Sequence, residues 1–204
     1  MNQIEPRRQV IKVAALCFAV YAAYNVFIIV RDGSDLPPEG IPLSIIVAVL
    51  FAVIAGFSWT AGLPVKDFKV LVVRRNTYMV ALPMIFALKL RMITGVIRYL
   101  NFSRPHTILY GASYFLTLAG LLILFLFYAL VVRNLQLYPK ASFYLPLAAM
   151  ILFVCSLILE IILFFAYGIC LEANVLRTVV IRPVFYLGFI ALSAFFLFPP
   201  PLPK

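Results

Sequence analysis

The stretch Ser142–Leu171, SFYLPLAAMILFVCSLILEIILFFAYGICL, decides the fold of this chain, and its one charged residue is Glu160. A helix of about 20 residues, rising about 1.5 Å per residue, crosses a hydrocarbon core of about 30 Å. The stretch is therefore long enough to span a bilayer. A carboxylate within it predicts a polar feature in the interior of the protein, since ionisable groups inside a membrane usually face other protein groups.

The rest of the sequence has the same apolar character. Of its 204 residues, 65% are hydrophobic and 12% are charged, and the mean hydropathy is +1.10. Soluble domains are about 45 to 50% apolar and about 25% charged. The composition excludes a water-soluble fold and predicts an integral membrane protein, which we expect in the plasma (inner) membrane.

The apolar runs predict an all-α fold, a polytopic transmembrane helix bundle that forms a single integral membrane domain over residues 1–204. Arg7 and Arg8 precede the first run, which is too long for a signal-peptide core and lacks a small-x-small cleavage site, so we expect it to stay as a signal anchor. The expected spans are residues 10–30, 43–63, 78–98, 107–132, 143–170 and 179–198.

The third span is ambiguous, because Lys89 and Arg91 interrupt its apolar run. Six spans with both termini cytoplasmic put ten basic residues inside and five outside, whereas five spans put thirteen inside and four outside. The positive-inside rule alone favours five spans. However, an interfacial helix requires charged or polar residues along one face. Met79–Leu88 has no charge and no polar stripe. We therefore favour six spans, on the condition that a partner compensates the two cations.

Arg91 and Lys89 are the expected partners of Glu160. With both helices running outward, Arg91 lies thirteen residues past Tyr78 and Glu160 fourteen past Pro146, so the two groups reach similar depth. A carboxylate that faced lipid alone would be costly, so Glu160 should face the bundle, be protonated or pair with a cation. Arg182, near the end of the sixth span, is expected to snorkel to the membrane surface.

Three interpretations of Glu160 remain open. In the first, Glu160 forms a structural ion pair that lets the third span insert. In the second, it belongs to a site for a polar ligand or proton. In the third, it lies near the outer headgroups without a role. Helical spacing adds further polar groups, because residues three and four apart share a face. Tyr21 and Asn25 share a face of the first span, and Ser156 and Tyr167 share the face of Glu160 on the fifth. The candidate site consists of Glu160, Arg91, Lys89, Tyr21, Asn25, Ser156 and Tyr167.

Small residues on two spans predict close helix packing. They are Ala15, Ala19 and Ala23 on the first span, and Ser113, Thr117 and Gly120 on the fourth. In its size, its six expected spans and the alanine ridge, the chain resembles the substrate-binding subunits of energy-coupling-factor vitamin importers. The Gly-rich and Pro-rich ligand loops of those subunits are not evident here, so the resemblance is one of architecture and implies no residue roles.

The sequence contains no recognisable catalytic or cofactor motif. The single histidine, His106, has no neighbouring acid, and paired carboxylates and a Gly-rich phosphate loop are lacking. We therefore expect a protein that is not an enzyme and has no cofactor or metal. The basic residues lie at the ends of apolar runs, where they suit anionic lipid headgroups, and the pattern does not suit nucleic acid.

Two functions fit these observations best, and a third, a membrane enzyme that uses Glu160 as an acid or base on a lipid substrate, stays open. The first is a transport component that binds a small polar solute or ion inside the bundle. The alternative is a non-enzymatic regulatory, assembly or sensor subunit that docks on a membrane-protein partner within a larger complex.

Overall fold

The computed structural model describes residues 4–32, 40–61, 68–131, 139–168 and 177–197, and within these ranges the chain is helical and has no strand. Seven α-helices and two π-helical turns follow one another. The α-helices are α1 (Ile4–Asp32), α2 (Gly40–Ala61), α3 (Phe68–Arg91), α4 (Ile93–Tyr99), α5 (Pro105–Leu126), α6 (Pro139–Tyr167) and α7 (Arg182–Leu197). The π-helical turns are Phe127–Val131, after α5, and Arg177–Ile181, before α7.

Six helical segments of the described residues are long and apolar enough to cross a membrane. They are Arg8–Arg31, Ile41–Thr60, Tyr78–Tyr99, Pro105–Ala129, Ser142–Tyr167 and Val179–Leu197. Each overlaps one of the spans expected from the sequence. The predicted ends at residues 63, 132, 170 and 198 lie outside the described residues. The length and composition of these helices indicate a membrane-embedded protein.

The ambiguous segment at residues 78–98 is helical, with a short break at Met92 between α3 and α4. The Met92 amide donates to the Lys89 carbonyl at 3.0 Å, a bond between residues three apart that tightens the turn. The Tyr114 hydroxyl on α5 also donates to the Lys89 carbonyl. The end of α3 is thus held against α5 just where its two cations lie.

Packing between the helices fixes which side chains meet. Helix α1 packs against α2 and α7, α5 packs against α3 and α6, and α6 also packs against α7. Aromatic rings fill the centre of the core, where Phe189 on α7 stacks on Phe153 of α6 with ring centroids 5.1 Å apart. Phe18 on α1 meets Phe189 edge-on at 5.1 Å. Helix α7 therefore lies between α1 and α6.

The two small-residue faces have different surroundings. Ser113, Thr117 and Gly120 are buried, and a Cβ added to Gly120 would come within 2.9 Å of the Phe153 ring. The predicted close contact of this face is confirmed. The ridge on α1 is only partly packed, because Ala15 is buried but Ala19 and Ala23 are exposed. That prediction was wrong for the last two alanines, since the face of α1 turned toward α7 carries Phe18 and not the ridge.

A candidate polar site between the helices

Glu160 lies inside the bundle, on the part of α6 that faces α5 and α7. Its side chain is 8% exposed, and Ser156, one turn earlier, is fully buried. Glu160 precedes the last residue of α6, Tyr167, by seven positions, or about 10 Å at 1.5 Å per residue. The expectation that the carboxylate faces the bundle is confirmed.

The cation that contacts Glu160 is Arg182, the first residue of α7. Its Nη1 atom lies 3.2 Å from Oε1 of Glu160, and the Arg182 side chain is only 15% exposed. The predicted pairing of Glu160 with Arg91 or Lys89 was wrong, as was the expected snorkelling of Arg182. Similar depth was a poor guide, because α6 packs mainly against α5 and α7, whereas α3 packs mainly against α5 and α2.

Hydroxyl groups complete the surroundings of the carboxylate. The Tyr186 hydroxyl donates to Oε1 of Glu160 at 2.7 Å, and the Ser113 hydroxyl lies 3.3 Å from the same atom. Thr117 contacts the Tyr186 oxygen at 3.2 Å. Hydrogen bonds in series polarise one another at low dielectric, so this arrangement stabilises a charged carboxylate better than one bond would.

The second carboxylate oxygen of Glu160 has different surroundings. Oε2 of Glu160 is buried and accepts no hydrogen bond from the described residues. Ser156 takes no direct part in binding the carboxylate, because its hydroxyl lies 2.9 Å from the Leu152 carbonyl and 3.2 Å from the Ser113 carbonyl. Ser156 instead joins α6 to α5.

A cavity of about 410 Å³ lies beside this cluster. It is at the end of the bundle where α1 and α3 finish and where α2 and α7 begin, and we call it the polar cavity. Its lining consists of Tyr21, Asn25, Leu43, Ser44, Val47, Phe51, Ile85, Leu88, Lys89, Arg91, Met92, Ile181, Arg182, Phe185 and Tyr186. Arg182 and Tyr186 thus have two roles, since they contact Glu160 and also form one wall of the cavity.

The candidate residues predicted from the sequence fall into three groups. Tyr21, Asn25, Lys89 and Arg91 line the polar cavity. Glu160 and Ser156 lie outside the described lining, and Glu160 is joined to the cavity wall through Arg182 and Tyr186. Tyr167 belongs to neither group: it is 44% exposed, and its ring lies 6.0 Å from that of His106.

Several lining groups are held in place by their neighbours. The Asn25 amide donates to the Tyr21 carbonyl at 2.8 Å, one turn earlier on α1. The Tyr21 ring packs on Phe51 at 4.6 Å and on Phe185 at 5.3 Å. The ammonium group of Lys89 lies 4.8 Å from the centre of the Phe185 ring, a distance suited to a cation–π contact. The cavity therefore combines an aromatic wall with positioned polar groups.

Arg182 and Tyr186 are the functional candidates that the sequence-based prediction missed. A signal for them exists in the sequence, because Arg182, Tyr186, Phe189 and Ser193 recur at helical spacing and so share one face of α7. A face with an arginine, a tyrosine and a serine in an apolar helix is more consistent with the bundle interior than with lipid.

Among the described residues, no group of three or more His, Cys, Asp or Glu side chains is placed to hold a metal ion. Comparisons with protein-family models, curated proteins and solved structures found no match for this chain.

Proposed function

We propose that this protein is a membrane transport component that binds a small polar solute or ion in the polar cavity and performs no covalent chemistry. The observation that carries the proposal is the cavity itself. Its volume of about 410 Å³ falls within the range of about 300 to 1,000 Å³ typical of small-molecule sites. A mainly apolar lining with a few fixed polar groups is also typical of such sites.

The cost of the polar groups supports a binding role. Lys89, Arg91 and Arg182 come from two helices, α3 and α7, and converge on one cavity. Basic residues within spanning segments are rare, and they commonly mark solute or ion pathways. The Glu160 ion pair accounts for Arg182. Lys89 and Arg91 also line the cavity, so its lining brings several charged side chains together at one place.

Filling the polar cavity should weaken the binding of a solute. Ser44 lines the cavity and its neighbour Ile45 does not, although both are on α2 and Ile45 is exposed. We expect Ser44→Trp to weaken binding of a small polar solute roughly tenfold or more, a change of at least about 1.4 kcal/mol. Ile45→Trp should bind like the parent protein. Binding is followed by calorimetry on purified protein with a panel of carboxylates, phosphates, amino acids and amines.

The result that would contradict this proposal is equal binding by the Ser44→Trp and Ile45→Trp variants, or no binding of any panel member by the parent protein. Both variants must give the thermal unfolding profile of a folded helical protein. The unfolding profile distinguishes a Ser44→Trp variant that does not fold from one that folds but does not bind. If Ser44→Trp does not fold, Ser44→Phe provides a smaller obstruction at the same position.

A second candidate function, a regulatory, assembly or sensor subunit, is favoured by a different surface. Among the described residues, a shallow groove between α1 and α2 is lined by alanine and valine: Ala19, Ala22, Ala23, Val26, Ala48, Val49, Ala52 and Ala55. Small residues allow close approach of helices in membranes, so this groove suits a partner subunit. Under this alternative, the Ser44→Trp variant has no binding defect because there is no solute to bind.

For the topology we propose six spans with both termini cytoplasmic. Several contacts of the ambiguous segment support a place inside the bundle. Leu82 and Ile85 are buried, and the Tyr78 hydroxyl on α3 lies 2.5 Å from the Ser58 hydroxyl on α2. A helix lying on the membrane surface would not bury these residues among the spans. Lys89 and Arg91 then line the polar cavity at the end of the bundle.

Labelling of single cysteines distinguishes six spans from five. We expect Ser103→Cys to react with an impermeant maleimide on intact cells, and Lys140→Cys to react only after permeabilisation, in a background without the native cysteines. Both positions are exposed. Five spans would reverse both results, so each variant serves as the control for the other.

Within this proposal, the plasma (inner) membrane is the site of action, and anionic lipid headgroups contact the basic residues at the helix ends. Arg8 and Lys140 are exposed at the end opposite the polar cavity. At the same end, the Lys12 ammonium lies 5.4 Å from the centre of the Trp59 ring. Tryptophan and basic side chains are typical of the membrane boundary, and cytoplasmic ends attract anionic lipid.

A further inference from the structure

We infer that the end of α3, together with α4, is a gate that opens and closes the mouth of the polar cavity. The inference rests on the proposed binding function, to which it adds the route by which a solute enters. Of the described lining residues, only Arg91 and Met92 are exposed, and both lie at the break between α3 and α4. The mouth of the cavity is therefore at this break.

The part of α3 after Pro83 supplies a large share of the cavity wall. The lining residues that it contributes, up to the break, are Ile85, Leu88, Lys89, Arg91 and Met92. Among the α3 residues whose side chains the structure describes, none before Pro83 lines the cavity. A movement of the part after Pro83 would therefore change both the size and the opening of the cavity.

The part of α3 before Pro83 is held firmly in the bundle. Tyr78, Ala81 and Leu82 are buried. The Tyr78 ring stacks on the ring of Tyr128 with centroids 5.0 Å apart, and the Tyr78 hydroxyl lies 2.5 Å from the Ser58 hydroxyl. These contacts join this part of α3 to α2 and to the π-helical turn after α5. It forms a fixed base from which the gate extends.

Packing is much weaker beyond this base. In residues 86–99, all of which the structure describes, only Val96 is buried. Val96 packs with Tyr114 and Leu118 of α5 in a small cluster that is separate from the main core. Segments with few buried apolar contacts open locally at a low cost in free energy. The gate can therefore move without disrupting the main core.

Two positions allow the gate to bend. Pro83 lies inside α3 and has no backbone N–H, so the helical hydrogen bond to the Met79 carbonyl is missing. At Met92 the helix is interrupted, and the Met92 amide donates to a carbonyl three residues earlier. Sharp bends in helices occur mostly at proline and at such local interruptions. Pro83 is the hinge between base and gate, and Met92 lets α4 change direction.

Two contacts of Lys89 hold the gate in its closed position. Its ammonium group lies 4.8 Å from the centre of the Phe185 ring, which joins α3 to α7 at the cavity. Its carbonyl accepts a hydrogen bond from the Tyr114 hydroxyl on α5. A cation–π contact and a single hydrogen bond each contribute little compared with a packed core. We therefore expect an open state with a measurable population.

The gate is tested by the distance between spin labels at Val30→Cys and Arg98→Cys, measured by electron paramagnetic resonance in nanodiscs without any solute. Both positions are exposed, one near the end of α1 and one on α4, and the native cysteines are replaced. We expect a shorter distance for the closed state and a longer one for the open state. Lys89→Met and Tyr114→Phe should each raise the ratio of open to closed protein roughly threefold. Pro83→Ala restores the missing hydrogen bond and should leave only the shorter distance.

Pro146→Ala is the matched control, because Pro146 lies inside α6 and is not among the described lining residues. It should leave both distances and their ratio unchanged. The reference label pair is Val30→Cys with Phe165→Cys, an exposed position near the end of α6. This pair should give one distance in every variant, because neither α1 nor α6 belongs to the gate.

A single distance for the Val30 and Arg98 labels, unchanged in Lys89→Met and Tyr114→Phe, would overturn the gate. Equal effects of Pro83→Ala and of the Pro146→Ala control would also overturn it, because the motion would then be a general loosening of the helices. If Pro83→Ala does not fold, the Lys89→Met and Tyr114→Phe variants decide the result.

The label distances and the solute-binding assay with Ser44→Trp fail independently of each other. Solute binding that Ser44→Trp weakens, together with a single fixed label distance, would keep the binding function and reject the gate. Two label distances in a protein that binds no member of the solute panel would keep the gate and reject the binding function.

Discussion

Arg182→Met should lower the free energy of unfolding by about 3 to 5 kcal/mol, the cost of leaving a buried charge without its partner. Arg182 contacts Glu160 at 3.2 Å, and both side chains are largely buried. Without the guanidinium, the carboxylate keeps only hydroxyl donors from Tyr186 and Ser113. The free energy is measured by reversible unfolding in mixed micelles with increasing dodecyl sulfate, followed by circular dichroism.

The matched control for this prediction is Arg91→Met. Arg91 is exposed at the end of α3, so the same chemical change there should cost no more than about 1 kcal/mol. A larger loss for Arg91→Met than for Arg182→Met would contradict the pairing seen here and would favour the one expected from the sequence. The comparison therefore separates two possible partners of Glu160 with one pair of variants.

Phe189→Ala should destabilise the protein by about 3 to 5 kcal/mol, as is usual for a large aromatic side chain removed from a packed core. Phe189 is fully buried on α7, and its ring packs against those of Phe18, Phe51, Phe153 and Phe185. In a membrane, the loss comes from packing more than from transfer out of water, because lipid is itself apolar. The same dodecyl sulfate unfolding assay measures the change.

Phe165→Ala provides the control, since Phe165 is on α6 and is 78% exposed. Its ring faces away from the core, where lipid replaces most of the lost contacts, and we expect a change within about 0.5 kcal/mol. Equal losses from the two substitutions would mean that the aromatic core does not hold α7 against α1 and α6. The position of Arg182 and Tyr186 would then lack the support attributed to it.

Much of the fold could be predicted from the sequence because membrane length and hydrophobicity constrain each helix independently of its neighbours. The apolar runs around Phe18, Phe51 and Phe153 all form helices, and these three rings are buried in the core. The inward direction of Glu160 was also predictable, since lipid is a poor environment for a carboxylate.

The partner of Glu160 could not be predicted in the same way. Many side chains lie at the same depth along their helices. The order of the helices around the bundle decides which of these side chains meet. Arg182 lies near a helix end, where arginine usually extends toward water, so its position in sequence suggested the wrong surroundings. Lys89 and Arg91, at the end of α3, line the polar cavity, and nothing in the local sequence specifies that they do.

The polar cavity was likewise predictable only in part from the sequence. Tyr21 and Asn25 were expected to share a face of α1, and they line the cavity together with the two cations of α3. Their meeting depends on α1, α2, α3 and α7 converging at one end. Tyr167 shared the predicted face of Glu160 on α6, but it lies at the last turn of the helix, beyond the packed region, and is exposed.

Glu160 and Arg182 form an ion pair in the interior of the bundle, where each side chain makes the burial of the other tolerable. A double-mutant cycle with Arg182→Met, Glu160→Met and the combined variant measures their interaction directly. We predict that the double variant is more stable than the Arg182→Met variant and that the interaction energy is about 2 to 3 kcal/mol, the upper part of the range for contacting residues. Additive losses of stability, with no interaction energy between the two substitutions, would mean that the two side chains are not paired.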